Sequence, residues 1–174
     1  MDYKVVYSSQ TGNTEKLAMA IFKALPDCSK DIQSIEAVTS EKASTYFVGF
    51  WNNRGSCGSD IMEFLSGLHH ARVALFGTTG MSGEEDYFKQ ISGRVSAFIP
   101  DDNQYLGAFM CEGKLPVGVL EKYKQIRDIQ DTPQIRAMIQ EYEHAMLHPD
   151  ERDLKQAADF VKQVLNMEKR EEGA

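Results

Sequence analysis

Three hydroxyl side chains set close together, Ser9, Thr11 and Thr14, with Gln10, Gly12 and Asn13 among them, are the residues of this sequence best arranged for chemistry. They follow the apolar run Val5-Val6-Tyr7 and precede apolar residues at helical spacing, Leu17, Ala18, Ile21 and Leu25. A strand, a polar turn and a helix start in that order make an anion site. The helix dipole and the unpaired amides of its first turn attract a phosphate. The hydroxyls add donors, and Gly12 lets the backbone turn and approach closely. No Lys or Arg lies within the loop, so the pattern suits a phosphate bound by neutral dipoles, not a triphosphate clamped by Lys and a metal ion. Ordinary helix capping accounts for one such hydroxyl; Ser8, Ser9, Thr11 and Thr14 exceed that need.

Two further stretches carry candidate ligand contacts. Trp51 ends a β-prone run and is followed by the polar stretch Asn52-Asn53-Arg54-Gly55-Ser56. Its flat side chain reads either as a stacking platform for a planar ligand or as core beside Phe47 and Phe50. Gly55 tolerates φ > 0 and reads either as a peptide that changes conformation when a bound ring gains or loses a proton, or as an ordinary turn glycine. Thr78, Thr79, Gly80, Met81, Ser82 and Gly83 offer backbone amides with little side-chain bulk, as a ligand wall needs. Cys111 closes a predicted strand and reads as a redox-active thiol or, more commonly for such a Cys, a small buried hydrophobe.

Other motifs fail. Residues 107–114 resemble a phosphate-binding P-loop, but the spacing to Gly113-Lys114 is one residue too long and Leu115 stands where Ser or Thr is needed. A phosphoreceiver domain needs an acidic cluster after its first strand and an Asp after its third; Ser8-Ser9 and Trp51-Asn52 occupy those places. His144 and His148 lie four apart, with Glu141 one turn earlier, a metal-capable spacing. No open catalytic set accompanies them, so they read as a solvated helix face, and no metal site is expected.

The elements that must position these loops alternate. Strands are expected over 3–7, around Ile32, Ile35 and Val38, over 46–51, 73–77 and 105–111, and helices over 15–25, 60–68 and 84–98. That alternation means βαβ units and a parallel sheet. Right-handed crossovers then bring the loops after strands one, three and four together at the switch point, where such sheets bind ligands. Residues 112–150 are too long for an ordinary connection. They hold a hinted helix at Val117, Leu120 and Tyr123, and then Thr132-Pro133 as a helix start with the apolar stripe Ile135, Met138, Ile139, Tyr142 and Met146. A last amphipathic helix follows His148-Pro149, and residues 168–174 read as a charged, frayed tail.

At 174 residues, 42% hydrophobic and 26% charged, the chain reads as a single globular domain, 1–174. A net charge of −7 argues against nucleic acid or an anionic membrane and favours basic protein partners. Three cysteines, odd in number and without metal spacing, suggest reduced thiols in a cytoplasmic protein, as does the lack of a signal-like opening.

Ser9-x-Thr11-Gly12-Asn13-Thr14 resembles the phosphate loop of flavodoxins. That resemblance implies a flavodoxin-like three-layer α/β sandwich, a five-stranded parallel sheet of order 2-1-3-4-5 with helices on both faces, and a helical insertion before the last helix. It implies FMN as cofactor, with the phosphate in residues 9–14 and the ring between loops 51–55 (Trp51, Asn52, Asn53, Arg54, Gly55) and 78–83 (Thr78, Thr79, Gly80, Met81, Gly83). The runs Gly49-Phe50-Trp51, Phe76-Gly77-Thr78 and Phe109-Met110-Cys111-Glu112-Gly113-Lys114 are similar to a branch that includes the flavodoxin-like partner of bacterial bilirubin reductase. The chain departs from ordinary flavodoxins in the loop after its third strand. Arg54 there is either a positive charge beside a reduced flavin or a solvated loop residue, and Met81, Tyr87 or neither covers the second ring face. The expected function is an FMN electron carrier between a reductase and an acceptor enzyme. An FMN-dependent NAD(P)H oxidoreductase acting on a quinone is the alternative, and an interaction module with a vestigial loop is a third.

Overall fold

A computed structural model describes residues 1–80 and 84–172. Met81, Ser82 and Gly83, candidates for the ring wall, lie outside the described residues. The chain runs β1 (Tyr3–Tyr7), α1 (Asn13–Ala24), β2 (Lys30–Ser34), β3 (Thr45–Trp51), α2 (Ser59–Ser66), β4 (Arg72–Thr79), α3 (Glu85–Ser96), β5 (Gln104–Glu112), α4 (Val117–Ile129), α5 (Pro133–Ala145) and α6 (Glu151–Glu172). The strands form one parallel sheet in the order β2-β1-β3-β4-β5. This is the expected sheet.

Strand alternation divides the core between the two faces. Val5, Phe47, Ala74 and Phe76 face Leu17, Ala18 and Ile21 of α1 and Ala157, Phe160, Val161 and Val164 of α6. Tyr46, Val48, Phe50, Val73 and Leu75 face Ile61 and Leu65 of α2 and Ile91 and Val95 of α3. Each fully buried Leu, Ile, Val or Phe contributes about 1.5–3 kcal/mol relative to exposure. The sheet centre is tightened by a reciprocal fit between β3 and β4. Gly49 pairs with Phe76, and Phe50 with Gly77. A Cβ on Gly49 would overlap the Phe76 ring, and one on Gly77 would lie 2.9 Å from Phe50 Cζ. Each glycine makes room for its neighbour's ring.

Three sequence expectations change. β2 ends at Ser34, opposite Tyr7, and Ile35 lies in a 3-10 turn, Ile35–Ala37. β2 pairs only with β1, so where β1 stops the strand has no ladder left. Met138 of the α5 stripe is exposed, while Ile135, Ile139, Tyr142 and Ala145 are buried. Glu168, placed by the sequence in a frayed tail, lies inside α6 and is only 5% exposed. Its carboxylate accepts hydrogen bonds from the Tyr3 hydroxyl (2.9 Å) and Thr45 Oγ1 (2.5 Å) and lies 3.3 Å from Arg72 Nε. Thr132 does cap α5, accepting from the Ile135 amide at 3.2 Å with Pro133 at the first position. No residue of α4 is buried. Among the described residues, no helix is long and apolar enough to cross a membrane.

Candidate functional site

The loop after β1 reaches α1 through Gly12, whose φ of 82° lies in the left-handed region. No side chain caps the helix there, so the amides of its first turn keep their donor capacity. Asn13 is buried; its Nδ2 donates to Thr11 Oγ1 at 2.8 Å and to Lys114 O at 2.8 Å. Thr14 is buried too, its hydroxyl 3.1 Å from that of Thr78. Ser9 Oγ is buried with no hydrogen-bond partner among the described residues. A buried hydroxyl without a partner costs about 1–3 kcal/mol, and a phosphate oxygen would satisfy it. Within this loop the donors are neutral: the orphaned Ser9 hydroxyl, the Thr11 hydroxyl, which only accepts from Asn13, and the start of a 12-residue helix.

Asn52 braces the loop after β3. Its amide donates to Thr78 O at 2.7 Å, its Nδ2 to Thr79 Oγ1 at 3.0 Å and to the Tyr87 hydroxyl at 3.1 Å, and its Oδ1 accepts from the Gly55 amide at 2.7 Å. Asn53 and Ser56 then close a tight turn with reciprocal backbone bonds of 2.8 and 3.2 Å. Its two central residues, Arg54 and Gly55, have φ of 53° and 89°, the hand that type I′ turns require. Arg94 of α3 donates to Gly55 O at 3.2 Å, and a Cβ on Gly55 would sit 2.5 Å from Arg94 Nη1. Gly55 is thus held from the side by α3.

Half-buried Trp51 and Asn52 line a cleft with Gln10, Thr11, Asn13 and Thr14, and with Thr78, Thr79 and Gly80. The loops after strands one, three and four do converge. Asn53, Arg54 and Gly55 form the turn beside this cleft and are not part of its lining. Tyr87 lies in α3 with its hydroxyl on Asn52, also outside the lining.

The sequence reading missed a fourth wall. Lys114, Leu115 and Pro116, after β5, complete the lining. The Gly113 amide donates to Thr79 O at 2.9 Å, Lys114 N to His148 O at 3.1 Å, and the Tyr142 hydroxyl to Leu115 O at 3.1 Å. Leu115 packs directly on the Gly80 backbone, where a Cβ would overlap it, and a Cβ on Gly113 would lie 2.7 Å from Asn13 Nδ2. A signal existed: residues 113–116 follow a strand at the ligand edge of a parallel sheet. Cys111 is buried against the α1–α6 face. Burial pushes its thiol far above the usual range, and the charges of Asp153, Glu112 and Asp150 push the same way. It is a buried hydrophobe, not a reactive thiolate.

Comparison with known proteins agrees with this architecture. Residues 4–162 match the model of the flavodoxin domain family. A flavodoxin-like domain-containing protein BilS from Clostridioides difficile is 34% identical over 167 residues, covering 92% of this chain and 94% of that protein. A protein of the same name from Clostridium symbiosum is 29% identical over 181 residues, with the same coverages. The flavodoxin of Streptococcus pneumoniae superposes with a TM-score of 0.59 at 15% identity, over 96% of this chain and 99% of that one. With its sheet order, its phosphate-type loop and this match in hand, the chain belongs to the flavodoxin domain family.

Proposed function

We propose that this chain carries FMN in the cleft and passes electrons between partner proteins. The observation that carries the reading is the Ser9 hydroxyl, buried and without a partner among the described residues, in the loop before an uncapped helix start, where a phosphate monoester would complete its bonding. Residues 9–14 (Ser9, Gln10, Thr11, Gly12, Asn13 and Thr14) hold the phosphate. Trp51, Asn52, Thr78, Thr79 and Gly80 flank the ring, with Leu115 and Pro116 as the remaining wall. The turn Asn53-Arg54-Gly55 supports the ring from outside the lining. Bound FMN supplies one- and two-electron redox chemistry; the protein orients it and shields it from water.

In this reading the chain is a single domain and residues 112–150 are a helical insertion that walls the cleft and presents α4. Val117, directly after Pro116, is 62% exposed, an apolar residue at the mouth that suits transient docking. The partners are a flavin reductase and an acceptor enzyme of the bilirubin-reductase type, in keeping with the BilS relatives. Three free thiols suit the reducing cytoplasm. An absorption spectrum of the purified chain tests the cofactor, and a flavin spectrum is expected. A colourless chain that takes up no added FMN overturns the reading. Steady NADPH oxidation with a quinone by the chain alone overturns the carrier role and favours an oxidoreductase.

A further inference from the structure

Beyond the cleft, at the C-terminal end of β5, two imidazoles and a carboxylate from three segments meet. Glu112 is the last residue of β5, His144 lies in the last turn of α5, and His148 in the connection to α6. Each offers a ligand atom, and these lie within 4.8 Å of one another. Glu112 Oε2 is 2.9 Å from His144 Nδ1, and the two imidazole rings are 4.9 Å apart, inclined by 40°. A tetrahedral ion with bonds of about 2.0–2.2 Å needs ligand atoms about 3.3 Å apart and imidazole centres about 5 Å apart. Small side-chain rotations separate this arrangement from coordination.

A second, independent feature prepares His148. Its Nδ1 lies 2.6 Å from Asp153 Oδ2. The same oxygen accepts the Asp150 amide at 2.8 Å, while Asp150 Oδ1 accepts the Asp153 amide at 2.9 Å. Asp153 is buried and fixed by this reciprocal box at the start of α6. A neutral His148 therefore keeps its proton on Nδ1, toward Asp153, and presents a bare lone pair at Nε2. That carboxylate–histidine pairing is how proteins orient metal-binding imidazoles. The sequence reading had set Glu141 beside the two histidines; the third ligand comes instead from β5.

We propose that Glu112, His144 and His148 bind one divalent transition-metal ion, with Asp153 positioning His148 and water completing the shell. Two nitrogens and one carboxylate oxygen suit Zn²⁺; Ca²⁺ and Mg²⁺ take all-oxygen sets. The His144 side chain is 63% exposed, which leaves an entry path and an open position. The ion would staple the end of β5 to the α5–α6 connection. Through the Lys114–His148 backbone bond it would also brace the segment lining the cleft.

The test is titration of the full chain, stripped with a chelator, with Zn²⁺ against a chromophoric competitor at neutral pH. One Zn²⁺ per chain is expected, with His144→Ala weakening affinity at least tenfold. Asp153→Asn removes no ligand and should weaken affinity about 10- to 100-fold while keeping one site. No stoichiometric uptake by the wild type, or His144→Ala binding as tightly as wild type, overturns the proposal. His144 is exposed, so its variant decides even where a change at Asp153 disturbs α6. The titration reads the metal alone, so its failure leaves the FMN reading standing.

Discussion

Thr14, in the first turn of α1, and Thr78, near the end of β4, spend their hydroxyls on each other across 3.1 Å. Both side chains are buried. The bond ties the start of α1 to the neighbouring wall of the cleft, and Thr11 Oγ1 accepts from Asn13 Nδ2. Ser9 Oγ is buried with no partner at all among the described residues.

Ser9→Ala should therefore act with opposite signs on the free and the loaded protein. Without ligand it removes an unsatisfied buried group and should raise stability by about 1 kcal/mol. With ligand it removes a bond to a charged group, about 1.5–3 kcal/mol, so FMN affinity should fall about 10- to 100-fold. Riboflavin affinity should hardly move. Denaturant melts and parallel titrations with the two flavins check this, and equal losses for both would detach residues 9–14 from the phosphate.

Trp51 is half-buried at the cleft. Stacked on the ring, it should quench flavin fluorescence, and Trp51→Ala should restore part of the emission. Affinity should fall by about 1 kcal/mol, roughly fivefold, from lost aromatic contact. Unchanged emission and affinity would separate Trp51 from the ring.

Gly80→Ala places a methyl into Leu115. Overpacking of this kind costs about 1–3 kcal/mol, and displacement of 113–116 should weaken FMN binding. Adding Leu115→Ala should recover a good part of both losses. A double-mutant cycle reads the coupling; strict additivity would show that the two residues do not meet.

Tyr3 donates to Glu168. Burial first, then the Glu168 bond and charge, raise the phenol well above its usual value of about 10. A raised folded-state pKa contributes stability that is complete below about pH 10 and is lost as pH rises toward the folded value. Tyr3→Phe should cost about 1 kcal/mol at neutral pH, and the gap to wild type should narrow as pH rises above about 10. Urea midpoints across that range test it; a gap that widens with pH contradicts the sign.

Glu84 and Glu85 lie exposed at the start of α3, the helix whose Tyr87 hydroxyl meets Asn52 of the cleft. For a carrier that meets a basic partner, reduction by a flavin reductase should slow steeply as the Debye length falls from about 10 Å at 0.1 M salt to about 3 Å at 1 M. Glu84→Lys with Glu85→Lys should slow it at low salt. Rates indifferent to both changes speak against an encounter steered by charge.

Much of this was legible because parallel strands and amphipathic helices write periodic patterns. Val5-Val6-Tyr7 and Tyr46 to Trp51 were plain as covered strands, and the loop 9–14 was plain as a polar turn leading into a helix. Partnerships formed far along the chain left no local signature. Glu168 looked like tail because its partners, Tyr3, Thr45 and Arg72, are distant in sequence. The facing of β5 stayed hidden for a related reason. β5 slips its register between Val73 and Leu75 of β4, with Gly107 at φ 103°. Leu106 then faces α1 and α6 while Ala108 and Met110 face the other layer. A change of phase inside one strand defeats simple alternation.

The Tyr3–Glu168 contact spans 165 residues, and that span sets a timetable. β1 lies inside the sheet, yet one of its faces is covered partly by α6, which is made after every strand of that sheet. At roughly 5–20 residues per second a ribosome needs about 8–33 s to add the 165 residues from Tyr3 to Glu168. For that interval the layer destined for Phe160, Val161 and Val164 is open to solvent. Contacts this distant also slow folding, because the closure entropy comes before its reward. The nascent chain is therefore a natural client for chaperones until α6 docks, and truncations before Phe160 should partition to aggregates instead of accumulating as a shorter fold.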